Sequence, residues 1–496
     1  MQKDTLNELG EKPVGRLLMQ YAIPAIIAMT ASSLYNIVDG IFIGQGVGEK
    51  AIMGLALTNP IMSLTAAFGA MVGVGAATLM SIRLGQKDYH TAQRILGNVL
   101  IMNVAMGLIL GLVLQAFLTP ILRFFGASDD TLPYAHDFMT VILIGNVVTH
   151  LYLGLNAMLR STNRPKEAMY ATFGTVIINI LLAPLFIFVF GWGIRGAALA
   201  TILAQCCMLV WQFHLFSDRR QFIHLQREQV RPDFRIMRDS MTIGLPQFLV
   251  NACACLLAVI VTRSMAEYGG DVAVGAFGIT NRLLMLIVFV VIGLNQGMQP
   301  IAGYNFGARR YARLERVVKL TILVATCITT LGFLVGTFFA TPCVQIFAKD
   351  APELIGESAH GLRIVVMMFP LIGMQIVSTA FFQSIGSPGK SIFLSLSRQM
   401  IFLLPALLLL PHFFESPTDG VWFAMPLSDA LASVLSFILL VRQIRILRAL
   451  QAASVIIRKE YPQTISANSS LESPKELRLS SQQPKAALKQ EAQRLP

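Results

Sequence analysis

The sequence predicts an all-α polytopic membrane protein. Twelve transmembrane helices are expected in two six-helix bundles, related by a pseudo-two-fold axis along the membrane normal. Three observations carry this. Charged residues make up 13% of the 496, and the mean hydropathy is +0.64; a soluble domain carries about 25% charged residues. Runs without any Asp, Glu, Lys or Arg cover 51–82, 95–122, 168–194 and 320–348, each longer than the roughly 18 residues that mark a spanning helix. The second half of the chain also repeats the first at a fixed offset, the one that carries Pro24 onto Pro246. An ordinary water-soluble enzyme is excluded, as is a disordered, fibrous or disulfide-stapled chain.

Apolar segments lie near 17–38, 53–80, 95–118, 134–157, 167–190, 194–216, 240–262, 273–298, 318–340, 360–383, 390–411 and 420–441. In lipid every backbone polar group must be paired internally, so segments of this length are helices. Strands of a barrel would be about ten residues long and would alternate, and nothing here alternates. The polar start, with Asp4, Glu8 and Glu11, is neither a signal nor a transit peptide.

The connections after the even-numbered segments, with both tails, hold 31 of the 39 Lys and Arg. The opposite connections hold five: Lys50, Arg123, Arg195, Arg263 and Lys349. Positive charge accumulates in cytoplasmic loops, so both termini are expected in the cytoplasm. The same bias explains the net charge of +12 and the pI of about 9.6 without a nucleic-acid partner. The expected organisation is a first bundle over 1–216, a cytoplasmic linker over 217–239, a second bundle over 240–445, and a largely disordered cytoplasmic tail over 446–496.

The offset that places Pro24 on Pro246 also places Ala51 on Ala273, Thr58-Asn59 on Thr280-Asn281, Gly75 on Gly297, Gly85 on Gly307 and Tyr89 on Tyr311. One residue further in offset, Ser161 meets Ser384 and Pro165 meets Pro388. Matched Pro, Asn, Gly and Tyr are hard to obtain from apolar composition alone. Two halves with an even number of helices enter from the same side, so they are parallel repeats. That arrangement belongs to alternating-access transporters with a midplane site between the halves.

Ionisable residues inside such segments are expensive and mark candidate sites. Asp39 ends the first segment, with Asn36 and Tyr35 about one turn before it. It is either a carboxylate at the outer lip or a proton or cation site in a cavity. Its counterpart in the repeat is Val261, so the fold itself does not require the acid. Asp429 lies inside the last segment, as a second candidate or as a partner for Arg398 or Arg282. His150 and His360 are relay candidates or plain polar residues at interfaces.

Gly69, Gly73 and Gly75 permit close helix approach. Pro24, Pro60, Pro246, Pro300, Pro370, Pro405 and Pro426 are expected to bend or break helices. The 23 methionines suit an adaptable cavity as well as lipid-facing surface. The six cysteines have no metal-ligand spacing and read as small core residues. The run Ser384-Ile385-Gly386-Ser387-Pro388-Gly389-Lys390-Ser391 imitates a phosphate-binding loop. It lacks the first glycine and follows an apolar helix rather than a strand, so the energy source is expected to be an ion gradient.

Several motifs together resemble the multidrug and toxic compound extrusion (MATE) family, and within it the bacterial MepA-like branch. They are Asn36-Ile37-Val38-Asp39-Gly40-Ile41-Phe42-Ile43-Gly44, Leu84-Gly85-Gln86-Lys87-Asp88, Leu159-Arg160-Ser161 and the run from Gly193 to Thr201. Phe306-Gly307-Ala308, Phe382-Gln383-Ser384-Ile385-Gly386 and Pro426-Leu427-Ser428-Asp429 complete the set, which spans roughly 15–445. The resemblance implies efflux of drugs or toxic organic cations by proton or sodium antiport.

By the same resemblance, Asp39, Asn179 and Thr201 match a polar ion-coupling cluster in the first bundle, with Asn36 beside it. The family's second acid on helix 5 is replaced by Ala183, and Ala254 stands near the place of a helix 7 glutamate found in some branches. One carboxylate with Asn and Thr is a weak sodium cage but can bind a proton, which favours proton coupling through Asp39. Asp429, Tyr35, Gln383, Arg282 and Arg398 are the expected cavity residues. No cofactor and no enzymatic reaction are expected. The expected partners are small amphipathic or cationic compounds, protons or sodium, and the bilayer of a bacterial inner membrane, with a monomeric chain. The alternative is a flippase or exporter of a lipid-linked or other amphipathic substrate, for which Arg282 and Arg398 would meet phosphate.

Overall fold

The computed structural model describes residues 8–347 and 351–460, apart from the side chains of Asn36, Ile37, Glu49, Arg227 and 453–460. The first half contributes α1 (Val14–Gly46), α2 (Glu49–Gly85) and α3 (Tyr89–Ala116). Next come α4, a pair Leu132–Ile144 and Asn146–Ser161, then α5 (Pro165–Pro184) and α6 (Gly193–Ser217). The two pieces of α4 meet at 56°. Just past the bend Asn146 donates from Nδ2 to the Gly107 carbonyl at 3.0 Å.

The second half opens on one continuous helical run, Phe234–Gly307, of 74 residues. At 1.5 Å per residue it would reach about 110 Å if straight, against a hydrocarbon core of about 30 Å. It turns at Gly270, whose φ of 63° and ψ of −158° only glycine adopts readily. The run is therefore two spans, α7 (234–269) and α8 (271–307). The last four are α9 (Tyr311–Phe338), α10 (Pro352–Ser384), α11 (Pro388–His412) and α12 (Pro417–Glu460). Counted this way, the described residues form twelve spans.

The repeat is visible in the details. The short helices Leu118–Phe124 and Ala340–Gln345 begin at counterpart positions of the two halves. One hydrophobic core is built only from residues 43–200 and another only from residues 257–424. Both lie toward the end remote from the basic connections. At the basic end the halves touch. A Cβ on Gly75 would stand 1.9 Å from the Ser240 carbonyl oxygen and 2.8 Å from the nitrogen of Gly244. A Cβ on Gly297 would stand 2.7 Å from Ala22. Gly75 and Gly297 are counterparts, and so are Ala22 and Gly244. Likewise a Cβ on Gly85 would stand 2.1 Å from the Tyr304 carbonyl oxygen, and one on Gly307 2.1 Å from that of Ile82.

Each half also has a leading segment strapped to the other. Asn98 on α3 donates to the Arg231 carbonyl at 3.2 Å and accepts from the Asp233 amide at 2.8 Å. Asn305 on α8 donates to the Leu9 carbonyl at 3.1 Å, and Arg310 bonds the Gly10 carbonyl.

Several expectations need adjustment. Gly69, Gly73 and Gly75 all mark close approaches, the first two to α4 and the third to α7. Pro24, Pro60, Pro246, Pro300 and Pro426 sit inside continuous helices and break none of them. Pro370 follows a 3-10 turn at Val366–Met368, and Pro405 follows a π-helical segment at Ser397–Leu403. The compact unit ends at Val441. From Arg442 the described part continues helically to Glu460, past the expected end of the last span. The remainder of the tail expected to be disordered lies outside the described residues.

Candidate functional site

Two polar sites stand out. The first lies within the first half, where α1, α5 and α6 converge. Asn179 donates from Nδ2 to the Thr201 hydroxyl at 2.9 Å and to the Tyr35 hydroxyl at 3.2 Å. The Tyr35 and Thr201 hydroxyls are 2.9 Å apart. Thr201 also reaches the Ala197 carbonyl at 3.2 Å. One proton arrangement satisfies every donor. Thr201 donates to Ala197, Tyr35 donates to Thr201, and Asn179 donates to both hydroxyls.

Asp39 follows Tyr35 by one turn on the same face of α1. Its side chain is buried, 8% exposed, and its Oδ1 has no hydrogen-bond partner. A buried oxygen left unpaired costs about 1–3 kcal/mol or more. It is therefore a ready acceptor for a proton or a small cation. Ala183, where the family's second acid would stand, is fully buried in the apolar core of this half. The oxygen set thus contains one carboxylate, with the neutral oxygens of Tyr35, Asn179 and Thr201 nearby. The side chain of Asn36 lies outside what the structure describes.

The second site is a cavity of about 350 Å³ between the halves. The repeat shapes its wall: Leu153 and Ile376, Ala157 and Ala380, and Arg160 and Gln383 all line it, each pair related by the offset that carries Ser161 onto Ser384. Amides from α7, α8 and α11 complete it, including Gln247, Asn295, Gln296 and Gln399. The π-helical segment of α11 carries Arg398 and Gln399 to the wall. Arg398 is held there by Asp429 of α12, which accepts from its Nε at 2.6 Å.

The expected residues therefore divide. Asp39, Tyr35, Asn179 and Thr201 belong to the first-half site and line none of the described cavities. Gln383 and Arg398 line the large cavity, and Asp429 stands behind Arg398. Arg282 is exposed and lines none of the described cavities. His150 is buried against the Thr65 carbonyl, and His360 pairs with Asp419 at 2.9 Å on the surface. Arg160 and the amides were not singled out as site residues from the sequence. Their signal was available: Asn295, Gln296, Gln375 and Gln399 are polar residues inside otherwise apolar segments.

A repeated pair of six-helix bundles around a shared cavity is the architecture of a membrane transporter. A family model named MatE matches the chain twice, over residues 24–185 and 246–407. The two matches are displaced by the same offset as the internal repeat. The chain belongs to the MatE family.

Among curated proteins it is 25% identical over 436 residues to the multidrug export protein MepA of Staphylococcus haemolyticus, covering 88% of this chain and 95% of that one. The MepA of Staphylococcus aureus strain MSSA476 is 24% identical over 439 residues, covering 88% and 96%. Among solved structures, the MATE multidrug transporter DinF-BH is 33% identical, with a TM-score of 0.81 over 87% of this chain and 96% of that one. A MATE family multidrug resistance transporter of the MOP superfamily, solved in an outward-facing conformation, has a TM-score of 0.84 at 23% identity, covering 89% and 98%.

Proposed function

We propose that the chain exports a range of small amphipathic compounds across a bacterial inner membrane by alternating access, driven by protons entering through Asp39. The carrying observation is the buried, unpartnered carboxylate oxygen of Asp39 beside the Tyr35–Asn179–Thr201 cluster. A carboxyl in that position gains or loses one charge with its proton, and burial makes the charged form costly. Proton binding is thus coupled to which conformation is stable. Sodium is the weaker reading, because it asks for more oxygen ligands than one carboxylate and its neutral neighbours offer. One charge moving through 100 mV releases about 2.3 kcal/mol, enough for roughly a fiftyfold gradient of one neutral compound.

The contacts at the basic end, with separate apolar cores at the other, support a conformation open away from the basic loops. The 31-to-5 distribution of positive charge supports cytoplasmic termini. The bundles would then be 1–216 and 240–445, joined by a cytoplasmic linker, in a monomer.

Organic cations are the class of cargo implied by the family resemblance. The second reading, export of a lipid-linked or other amphipathic substrate, is favoured by the two guanidinium groups at the large cavity, those of Arg160 and Arg398. Efflux of ethidium from cells making the protein tests the first reading, with a protonophore and with sodium removal in parallel. Collapse with the protonophore alone supports it. Efflux that needs sodium and ignores the protonophore overturns the proton coupling.

A further inference from the structure

We propose that the cavity between the halves seats an oxyanion of its cargo on Arg160. The compounds it takes then include amphipaths bearing a carboxylate, sulfonate or phosphate. This rests on the export reading and names its substrate class.

Arg160 occupies a singular position. It borders the 350 Å³ cavity, a neighbouring pocket of about 170 Å³ between α1, α4 and α5, and a small cleft beside Thr78 and Gln299. Its hydrogen bond goes to the neutral amide oxygen of Asn156. Among the described residues no carboxylate pairs with it. Arg398, the other guanidinium of the wall, is neutralised by Asp429 at 2.6 Å. The described lining of the large cavity contains no Asp or Glu. Its net charge is therefore positive and sits on Arg160. A guanidinium keeps its proton at any ordinary pH. In a low dielectric an uncompensated charge is expensive, so the site is incomplete until an anion arrives.

A structural role alone does not account for the residue. A cation in the last turn of a helix is favoured by the helix dipole, and Arg160 is in the last turn of α4. Yet the repeat places Gln383 at the same position, followed by the same serine, and there the amide simply donates to the Ile243 carbonyl at 3.1 Å. The fold accepts a neutral side chain at this place. The charge belongs to one half only, as does that of Asp39.

The rest of the wall fits an amphipath. Asn295 Oδ1, Gln375 Oε1 and Gln399 Oε1 are buried without partners. These oxygens can accept from donor groups on the body of the cargo, away from its oxyanion. Leu153, Val250 and Ile292 supply apolar surface for its body. The volume lies within the usual range for small-molecule sites. The planar guanidinium fork matches the two oxygens of a carboxylate, sulfonate or phosphate.

The test uses purified full-length protein in liposomes, with proton and sodium gradients imposed together. Two matched dyes are compared: 8-anilinonaphthalene-1-sulfonate and its neutral analogue N-phenyl-1-naphthylamine. Ethidium is a third cargo. Wild type should carry the sulfonate in preference to the neutral dye. Arg160→Gln should lower the sulfonate-to-neutral ratio at least tenfold, mainly through KM, and Arg160→Lys should recover part of it. If Arg160→Gln cannot be purified folded, the fall in ratio for Arg160→Lys decides. An unchanged ratio, or equal loss for both dyes, would overturn the proposal. So would transport of ethidium without the sulfonate, which leaves export intact. Transport of none of the three would sink the export reading and this proposal with it.

Discussion

Arg398 donates from Nε to Oδ1 of Asp429 at 2.6 Å, tying the π-helical segment of α11 to the middle of α12. The Asp429 side chain is 3% exposed and that of Arg398 is 35% exposed, toward the cavity. Removing one partner strands the other charge. For a fully buried pair that costs about 3–5 kcal/mol, and the partial exposure of Arg398 reduces it. Asp429→Ala and Arg398→Ala should each lower thermal stability of the purified protein by the equivalent of about 2–3 kcal/mol. The double variant Arg398→Met/Asp429→Leu should lose less than either. Losses that simply add would show that the pair is not coupled.

Gly75 packs on Gly244 where the halves meet at the basic end. A Cβ on Gly244 would stand 1.8 Å from the Met71 carbonyl oxygen. A side chain there must wedge the helices apart, since both neighbours are backbone. Gly244→Val should shift the population away from the form closed at this end. Spin labels placed at the basic ends of α2 and α8, in a chain freed of its six cysteines, should report a longer mean distance. An unaltered distribution would refute this gate.

The linker before α7 is held by α3 through Asn98, through the Gln93 bond to the His224 carbonyl, and through the 3.1 Å Arg94–Asp233 ion pair. Asn98 is fully buried and bonds through both ends of its amide, Nδ2 donating and Oδ1 accepting. Asn98→Ala should therefore speed amide exchange around Arg231 and Asp233 and expose the linker to trypsin. Equal protection in the variant would mean that the strap is held elsewhere.

Thr201 accepts from Asn179 and Tyr35 while donating to Ala197. Thr201→Val keeps the shape and removes all three bonds. At a net worth near 1 kcal/mol each, the loss should be about 2–3 kcal/mol, read as a lower melting temperature. Thr201→Ser should recover most of it. If Thr201→Val is as stable as wild type, the cluster is not assembled as described.

Much of the architecture was legible because lipid imposes it. Long uncharged runs must be helices, and matched prolines and glycines disclosed the repeat before any contact was known. The Gly75–Gly244 and Gly297–Ala22 approaches are that repeat expressed in packing. The 56° bend in α4 was not legible, since Gly145 and Asn146 sit in an unbroken apolar segment and the partner of Asn146 there is the distant Gly107 carbonyl. The first-half cluster was legible only by resemblance, because Tyr35, Asn179 and Thr201 are far apart in sequence. Arg160 stood out only as part of the motif Leu159-Arg160-Ser161, and close to Arg164 and Lys166 its charge counted with the cytoplasmic ones. Only the fold turns it toward a cavity.

Asp39 is proposed to carry the coupling proton. This role is tested most directly in proteoliposomes that can run either gradient-driven uptake or exchange of labelled for unlabelled cargo. Exchange needs the transport cycle but no net proton movement. Asp39→Asn should keep exchange within a few-fold of wild type and lose uptake driven by a pH gradient. Uptake by Asp39→Asn that still follows the pH gradient at the wild-type level would contradict it.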